Sequence, residues 1–429
     1  MKITQNPNKE QWSELTKRPE KEAADLSKII SEVFTDVKAR GDEALLEYTL
    51  KFDKAELPSV KVPEGEIEDA EYLVSDELKE AIQLAKANIE KFHQSQMITK
   101  SVVETAPGVQ CWQEMRPIEK VGLYIPGGTA PLFSTILMLG IPAKLAGCKE
   151  IILCSPPDEN RAINPAILYA AKLVGVTNIY KLGGVQAIAA MTLGTETVPN
   201  VYKLFGPGNQ FVTAAKQYAL TQGLAIDMPA GPSELMVVAD ENADASFVAS
   251  DLLSQAEHGH DSQVICVANT LEKLQEIEAE VASQLAVLPR KDMATSSIAN
   301  SELVLIEDLA QQIDFINEYA PEHLILNVAD ESLYLDKIMN SGSVFIGQYT
   351  PESAGDYASG TNHTLPTNGF ARMYSGVNMD SFTKKITYQK ISESGIQTIG
   401  NAIELMAEAE GLQAHKNAVT LRLESLKKK

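Results

Sequence analysis

Histidine is scarce in this chain, with six residues in 429. Cysteine is scarcer: Cys111, Cys148, Cys154 and Cys266 occur with no Cys-x-x-Cys pair. That argues against a disulfide framework and against a thiolate zinc site, and it fits a reducing cytoplasm. No apolar run approaches the ~18 residues that span a bilayer. The opening Met-Lys-Ile-Thr-Gln-Asn-Pro-Asn-Lys-Glu lacks the apolar core of a signal peptide. Positive charge is also short, 37 Lys and Arg against 58 Asp and Glu, for a formal net charge of −21. An excess of this sign disfavours nucleic acid and anionic membrane surfaces as partners, and tolerates a cationic small substrate. The Gly-x-Gly-x-x-Gly fingerprint of dinucleotide-binding turns is absent as well.

What is present is a long globular chain. Its hydrophobic content of 44% supports packed cores, and its length allows two to three domains. The first ~60 residues are charged and helical in spacing, and Asp76 to His93 reads as an amphipathic helix. From residue 119 short β-rich runs alternate with helical stretches. Val121 to Ile125, Glu150 to Cys154, Asn178 to Leu182 and Val201 to Phe205 read as strands, with a helix over Asn164 to Val174. The pattern then restarts. Leu235 to Ala239, Val264 to Val267, Leu303 to Ile306, Leu324 to Val328 and Ser343 to Ile346 read as strands, with helices over Ala245 to Ala256 and Leu271 to Leu285. Such alternation predicts parallel sheets wrapped by helices, in two α/β units. After about residue 380 the chain reads as mostly helical and charged.

Three predicted strands stop at small residues: Pro126-Gly127-Gly128-Thr129-Ala130-Pro131, Gly183-Gly184-Val185-Gln186 and Gly206-Pro207-Gly208-Asn209. In parallel sheets ligands bind at the carboxyl ends of strands, and glycine lets the backbone approach them. Tight turns that merely stop strands would look the same.

Five of the six histidines lie in the second half, beside acids, glycines or prolines. Gln255 and His258 are three apart at the end of a predicted helix and share one face. A Gln oxygen and an imidazole nitrogen there could reach one ion; a polar helix end would read alike. Glu322 and His323 follow Ala320-Pro321 at a loop-to-strand junction, where two bases of different pKa could face one cleft. Asp356 and His363 lie in the polar segment Gly355 to His363, expected as a loop, where Asp356 could ligate a metal and His363 could contact an anion or substrate; an ordinary surface loop would read alike. Glu410 and His415 sit in the helical tail, where alone they read as exposed helix residues. Zinc with mixed oxygen and nitrogen ligands from Gln, His and Asp is a reasonable catalytic site, which spacing by itself does not prove.

Taken together, six segments resemble the histidinol dehydrogenase family. They are Val-Gly-Leu-Tyr-Ile-Pro-Gly-Gly-Thr-Ala-Pro-Leu, Phe-Gly-Pro-Gly-Asn, Asp-Met-Pro-Ala-Gly-Pro-Ser-Glu, Asp-Leu-Leu-Ser-Gln-Ala-Glu-His-Gly, Ala-Pro-Glu-His-Leu and Ala-Gly-Asp-Tyr-Ala-Ser-Gly-Thr-Asn-His-Thr-Leu-Pro-Thr. The resemblance runs from the early helical region into the tail Ala-His-Lys-Asn-Ala-Val-Thr-Leu-Arg. It implies an α/β fold of two incomplete Rossmann-like domains with parallel sheets, the second inserted in the first. A small N-terminal helical arm (1–21) and a helical C-terminal tail (377–429) reaching the partner subunit of a homodimer complete it. Residues 22–123 and 234–376 would form the first domain, for substrate and metal, and 124–233 the second, for NAD.

The same resemblance implies a cytoplasmic enzyme that takes L-histidinol through the aldehyde to L-histidine, the last step of histidine biosynthesis. NAD would be the acceptor and one zinc per subunit would orient the substrate. Zinc would be held by Gln255, His258, Asp356 and His415 of the partner subunit. Glu322 and His323 would be the acid/base pair, Glu322 activating water and His323 carrying protons. Ser233, His363 and Glu410 would contact substrate alongside the zinc ligands and the acid/base pair, and Tyr124, Gln186 and Asn209 would contact NAD. His260 stands where the family often has proline, and is expected to be a non-ligand neighbour. A metallohydrolase and a non-catalytic binding protein are competing classes for the same residues.

Overall fold

Runs of apolar residues too short for helices become the strands. In the computed structural model, which describes residues 1–19, 26–127, 131–229 and 231–428, these are β1 (Lys2–Gln5), β2 (Val102–Ala106), β3 (Val109–Pro117), β4 (Lys120–Tyr124), β5 (Glu150–Ser155), β6 (Asn178–Lys181) and β7 (Lys203–Phe205). The remainder are β8 (Ala225–Ile226), β9 (Glu234–Ala239), β10 (Gln263–Ala268), β11 (Glu302–Leu305), β12 (His323–Asn327), β13 (Ser343–Ile346) and β14 (Thr383–Ile391). The chain forms two units, one of Met1–Ser95 with Ile118–Phe382 and one of Gln96–Pro117 with Thr383–Lys429.

The first unit contains two fully parallel sheets. One is ordered β6-β5-β4-β7-β8 and the other β1-β11-β10-β9-β12-β13. Each runs third-second-first-fourth-fifth in its own chain order, and the second adds β1 at the β11 edge. This is the Rossmann order without its sixth strand. The five-stranded sheet is inserted in sequence between β1 and β9 of the six-stranded one. The expected class, α/β with two incomplete Rossmann-like domains, is the observed one.

Strand residues alternate between two faces, and each face is covered. On the five-stranded sheet, Leu123, Leu153, Ile179 and Phe205 pack with Ile136, Ile167, Ile67 and Ile89, while Tyr124, Ile152, Tyr180 and Leu204 pack with Ile30, Phe34, Ile188 and Val212. On the six-stranded sheet, Leu235, Val237, Val264 and Cys266 pack with Leu252 and Ile277. Met236, Val238, Ile265 and Leu324 pack with Trp12, Phe315 and Tyr319 on the other side. Cys148, Cys154 and Cys266 are buried, and their thiols are raised by that burial, so they are packing residues.

The chain departs from the expected division in three respects. The helices Leu26–Arg40, Asp42–Asp53, Glu64–Leu73 and Asp76–Gln94 were expected with the first domain and pack on the five-stranded sheet, because their apolar stripes match its two faces. Residues 1–19 begin with a strand that pairs β11, so the arm is not wholly helical; its expected end at residue 21 lies outside the described residues. The tail is not all helix either. Its β14 pairs antiparallel with β3, and β3 pairs with β2, before the helices Glu393–Ala409 and Gln413–Lys427.

Candidate active site

The chemistry-bearing residues gather at the amino ends of β9 and β12. Ser233 precedes β9, Glu322 precedes β12, and His323 is the first residue of β12, paired in register with Leu235. The backbone of one residue of β9, through its two flanking peptides, holds both members of the expected acid/base pair. The Glu234 N–H donates to Glu322 Oε2 at 2.8 Å, and the Glu234 carbonyl oxygen lies 3.1 Å from His323 Nδ1. A carbonyl only accepts, so Nδ1 carries a proton, which leaves Nε2 as the nitrogen that can exchange one. Nε2 is buried and has no hydrogen-bond partner among the described residues.

Around this pair stand the expected ligands. Gln255 is in the last turn of the helix Ala245–Ala256, fully buried, and neither amide atom has a hydrogen-bond partner. That helix starts because Asp244 caps it, accepting from the Ser246 N–H. His258 lies beyond the helix end, so the shared helical face expected of Gln255 and His258 is a helix residue beside a turn residue. Its Nε2 is 4.0 Å from Asp356 Oδ2, and Asp356 Oδ1 is 3.8 Å from His323 Nε2. Asp356 was expected in a loop and lies on the short helix Glu352–Tyr357, which Pro351 precedes. His260 is exposed and stands outside this cluster.

Sequence reasoning missed Glu352. It is buried, its Oε2 accepts from Ser254 Oγ at 3.2 Å, and its Oε1 is unpartnered 3.7 Å from His323 Nδ1. The available signal was Thr350-Pro351-Glu352, proline followed by an acid as at a helix start. Ligand atoms of His258, Glu352 and Asp356 lie within 4.8 Å of one another. Burial works to lower the His323 imidazole, but the carboxylates of Glu322, Glu352 and Asp356 overcome it and raise it to about 10. Burial likewise pushes Glu352 well above the carboxylate range, against the pull of His323. Orphaned buried polar atoms, crowded carboxylates and a mixed nitrogen and oxygen donor set are what a bound dication satisfies, and they fit zinc.

His363 is held on both sides. Its Nδ1 donates to the Asp356 carbonyl oxygen at 2.9 Å and its Nε2 lies 3.0 Å from Thr135 Oγ1. Burial lowers its pKa, so it stays neutral, and Thr135 is a second residue the sequence did not flag. Asn362 beside it donates to the Met138 carbonyl oxygen and meets His93 Nε2, which makes the buried His93 an anchor of this segment. Glu410 and His415 belong to the second unit, where both are exposed around the joint between its two helices.

The three residues expected against NAD lie at the carboxyl ends of the five-stranded sheet. Tyr124 ends β4, and its hydroxyl accepts from the Gly184 N–H at 3.1 Å. Gln186 is buried and donates to Asp53 at 3.3 Å; burial raises Asp53 to about 6. Asn209 is exposed and caps the helix Gln210–Thr221, accepting from Phe211 and Val212 N–H. Gly206 has a φ of +132°, and a Cβ there would collide with the Tyr124 carbonyl oxygen. A buried ion pair grips that glycine: Lys216 Nζ donates to its carbonyl oxygen and Asp227 accepts from its N–H. Of the first glycine-rich turn, Gly128, Thr129 and Ala130 lie outside the described residues.

A family model described as histidinol dehydrogenase matches residues 16–423. A histidinol dehydrogenase of Bacteroides thetaiotaomicron is 58% identical over 428 residues, covering 100% of both chains. One of Escherichia coli is 50% identical over 421 residues, covering 97% of this chain and 96% of that one. The crystal structure of histidinol dehydrogenase from Elizabethkingia anophelis superposes with a TM-score of 0.98 at 58% identity, over 100% of this chain and 99% of the other.

Proposed function

The chain belongs to the histidinol dehydrogenase family, and on that footing we propose that it oxidises L-histidinol to L-histidine through L-histidinaldehyde, the last step of histidine biosynthesis. The observation that carries this reading is a proton-transfer pair, Glu322 and His323, beside a separate ligand set: Gln255 with neither amide atom hydrogen-bonded, and His258 4.0 Å from Asp356. The six-stranded sheet with its flanking segments is the substrate side, and the five-stranded sheet is the NAD side.

Zinc, when held by Gln255, His258, Asp356 and His415 of the partner subunit, supplies a template for the substrate's nitrogen atoms. NAD, when bound against Tyr124, Gln186 and Asn209, supplies the hydride acceptor. His323 takes the alcohol proton at Nε2, while its Nδ1–H stays on the Glu234 carbonyl oxygen and keeps the ring in one tautomer. Glu322 takes a proton from the water that adds to the aldehyde. Once its first proton has passed to solvent and a second NAD has replaced the reduced cofactor, His323 would take the hydroxyl proton of the hydrate as the second hydride leaves to that NAD. Ser233, His363 and Glu410 of the partner subunit contact the substrate, with Thr135 yielding His363 Nε2 when substrate binds. A homodimer with shared sites follows from that assignment. No helix among the described residues is long and apolar enough to cross a membrane.

The deciding experiment follows reduced-nicotinamide absorbance with histidinol and NAD. Two equivalents of reduced cofactor per histidinol, lost to a chelator and restored by zinc, are expected. Hydrolysis without reduced cofactor would make the site a metallohydrolase, and ligand binding without turnover would make it a binding protein.

A further inference from the structure

The N–H of Glu234 meets Glu322 and its carbonyl oxygen meets His323, so whatever fixes the backbone at this one residue bears on both members of the pair. Its own side chain is the point of attachment. Glu234 is 1% exposed, an unusual place for a carboxylate at the start of a wholly apolar strand. Arg18 reaches it from the N-terminal segment with a two-pronged contact, Nε to Oε1 at 3.0 Å and Nη2 to Oε2 at 2.9 Å. The Asn368 N–H donates to the same carboxylate. The guanidinium is itself over-determined. Nη2 also donates to the Tyr319 carbonyl oxygen at 2.6 Å, Nη1 donates to the Thr16 carbonyl oxygen at 3.2 Å, and the group lies over the Tyr319 ring at 4.0 Å. The residue before it is tied down too: the Lys17 carbonyl oxygen accepts from Gln263 Nε2, whose amide oxygen takes the Tyr319 hydroxyl.

We propose that Arg18 and Glu234 are positioning residues, a bidentate pair that anchors the backbone at Glu234 and through its N–H and carbonyl oxygen sets the orientations of Glu322 and of the His323 ring. The side chains of the pair make no hydrogen bond to an expected substrate contact or metal ligand; their line of action runs through the backbone of Glu234 in β9. Planar two-point recognition fixes orientation as well as distance, which a lysine's single ammonium does not. Outer partners of a reacting group matter because small displacements are costly when reacting atoms must align, and their loss costs on the order of 10- to 100-fold. The proposal rests on Glu322 and His323 being the acid/base pair.

The test uses the zinc-loaded full chain carrying Arg18→Met, Arg18→Lys or Glu234→Gln, beside Glu322→Gln and His323→Asn. For Arg18→Met and Glu234→Gln, kcat is expected to fall about 10- to 100-fold with KM for histidinol within about threefold and zinc content unchanged. Millimolar guanidinium is expected to restore part of the Arg18→Met loss, and Arg18→Lys to fall between Met and the parent. An unaltered kcat in folded Arg18→Met and Glu234→Gln, or a loss carried wholly by KM or by zinc content, overturns the positioning role. If no substitution at either position folds, the pair is a folding keystone and the proposal also falls. Full activity in Glu322→Gln and His323→Asn would instead remove the acid/base assignment beneath it.

Discussion

Single side chains in this molecule are judged by what surrounds them, and Asp251 is an example. It lies on the helix Ala245–Ala256, 7% exposed, accepting a hydrogen bond from the Glu352 N–H. Burial raises its carboxyl to about 7 from the ordinary 3.8. Between those values the folded chain keeps a proton that the unfolded chain has lost, so this residue makes stability fall as pH rises. Asp251→Asn removes the ionisation and keeps an oxygen for the Glu352 N–H. The substituted chain should be more stable than the parent at pH 8, by on the order of 3 kcal/mol, and equal to it near pH 4. Urea unfolding at the two pH values measures this; a difference that does not depend on pH would refute it. Neither Asp251 nor Glu352 stands out in a linear reading, because an acid in a polar or helical stretch looks solvated until its neighbours are known.

Elements were legible where burial on both faces wrote itself into the sequence. β9, β10 and β12 are buried from end to end and were read to within a residue. β14 was not, since its mixed Thr383-Lys384-Lys385-Ile386-Thr387-Tyr388-Gln389-Lys390-Ile391 is largely exposed and shows no apolar face. The short helix bearing Asp356 was hidden by Gly355 and by its brevity. The turn at Gly206 has a φ of +132° and lies beside Asn209, one of the residues proposed to meet NAD. Lys216 and Asp227 are buried together and clamp it from opposite sides. Lys216→Met leaves Asp227 buried without its cation and frees the Gly206 carbonyl oxygen. Destabilisation of about 3–5 kcal/mol is expected, together with a raised KM for NAD at low temperature where the chain remains folded. Denaturant unfolding and initial-rate kinetics read the two effects; a wild-type midpoint would contradict the first.

At the scale of the whole molecule the two parallel sheets use opposite ends. Tyr124, Gln186 and Asn209, the residues proposed to meet NAD, stand at carboxyl ends, whereas Glu322, His323 and Ser233 stand at amino ends. The short connection 227–233 leads from the carboxyl end of β8 to the amino end of β9, so the insertion itself joins one kind of end to the other. The second unit carries Glu410 and His415 on exposed positions, along with exposed Leu405, Met406, Leu412 and Leu421. Shared sites across a homodimer would use that unit. Mixing inactive His415→Ala chains with inactive Glu322→Ala chains, after reversible dissociation, should regain up to about a quarter of parent activity, since a random mixture forms one intact site in half of its dimers. No regain in verified mixed dimers would refute shared sites.

The sequence by itself determined the fold class, most strand and helix positions, and the resemblance that named the chemistry. Periodicity and turn residues are local properties, and a chain displays them in order. It could not decide which carboxylates are buried beside His323, that Thr135 meets His363, or that Arg18 and Glu234, 216 positions apart, form one bidentate pair. Those relations depend on which surfaces the sheets bring together, and desolvation and hydrogen-bond geometry exist only after that packing is complete.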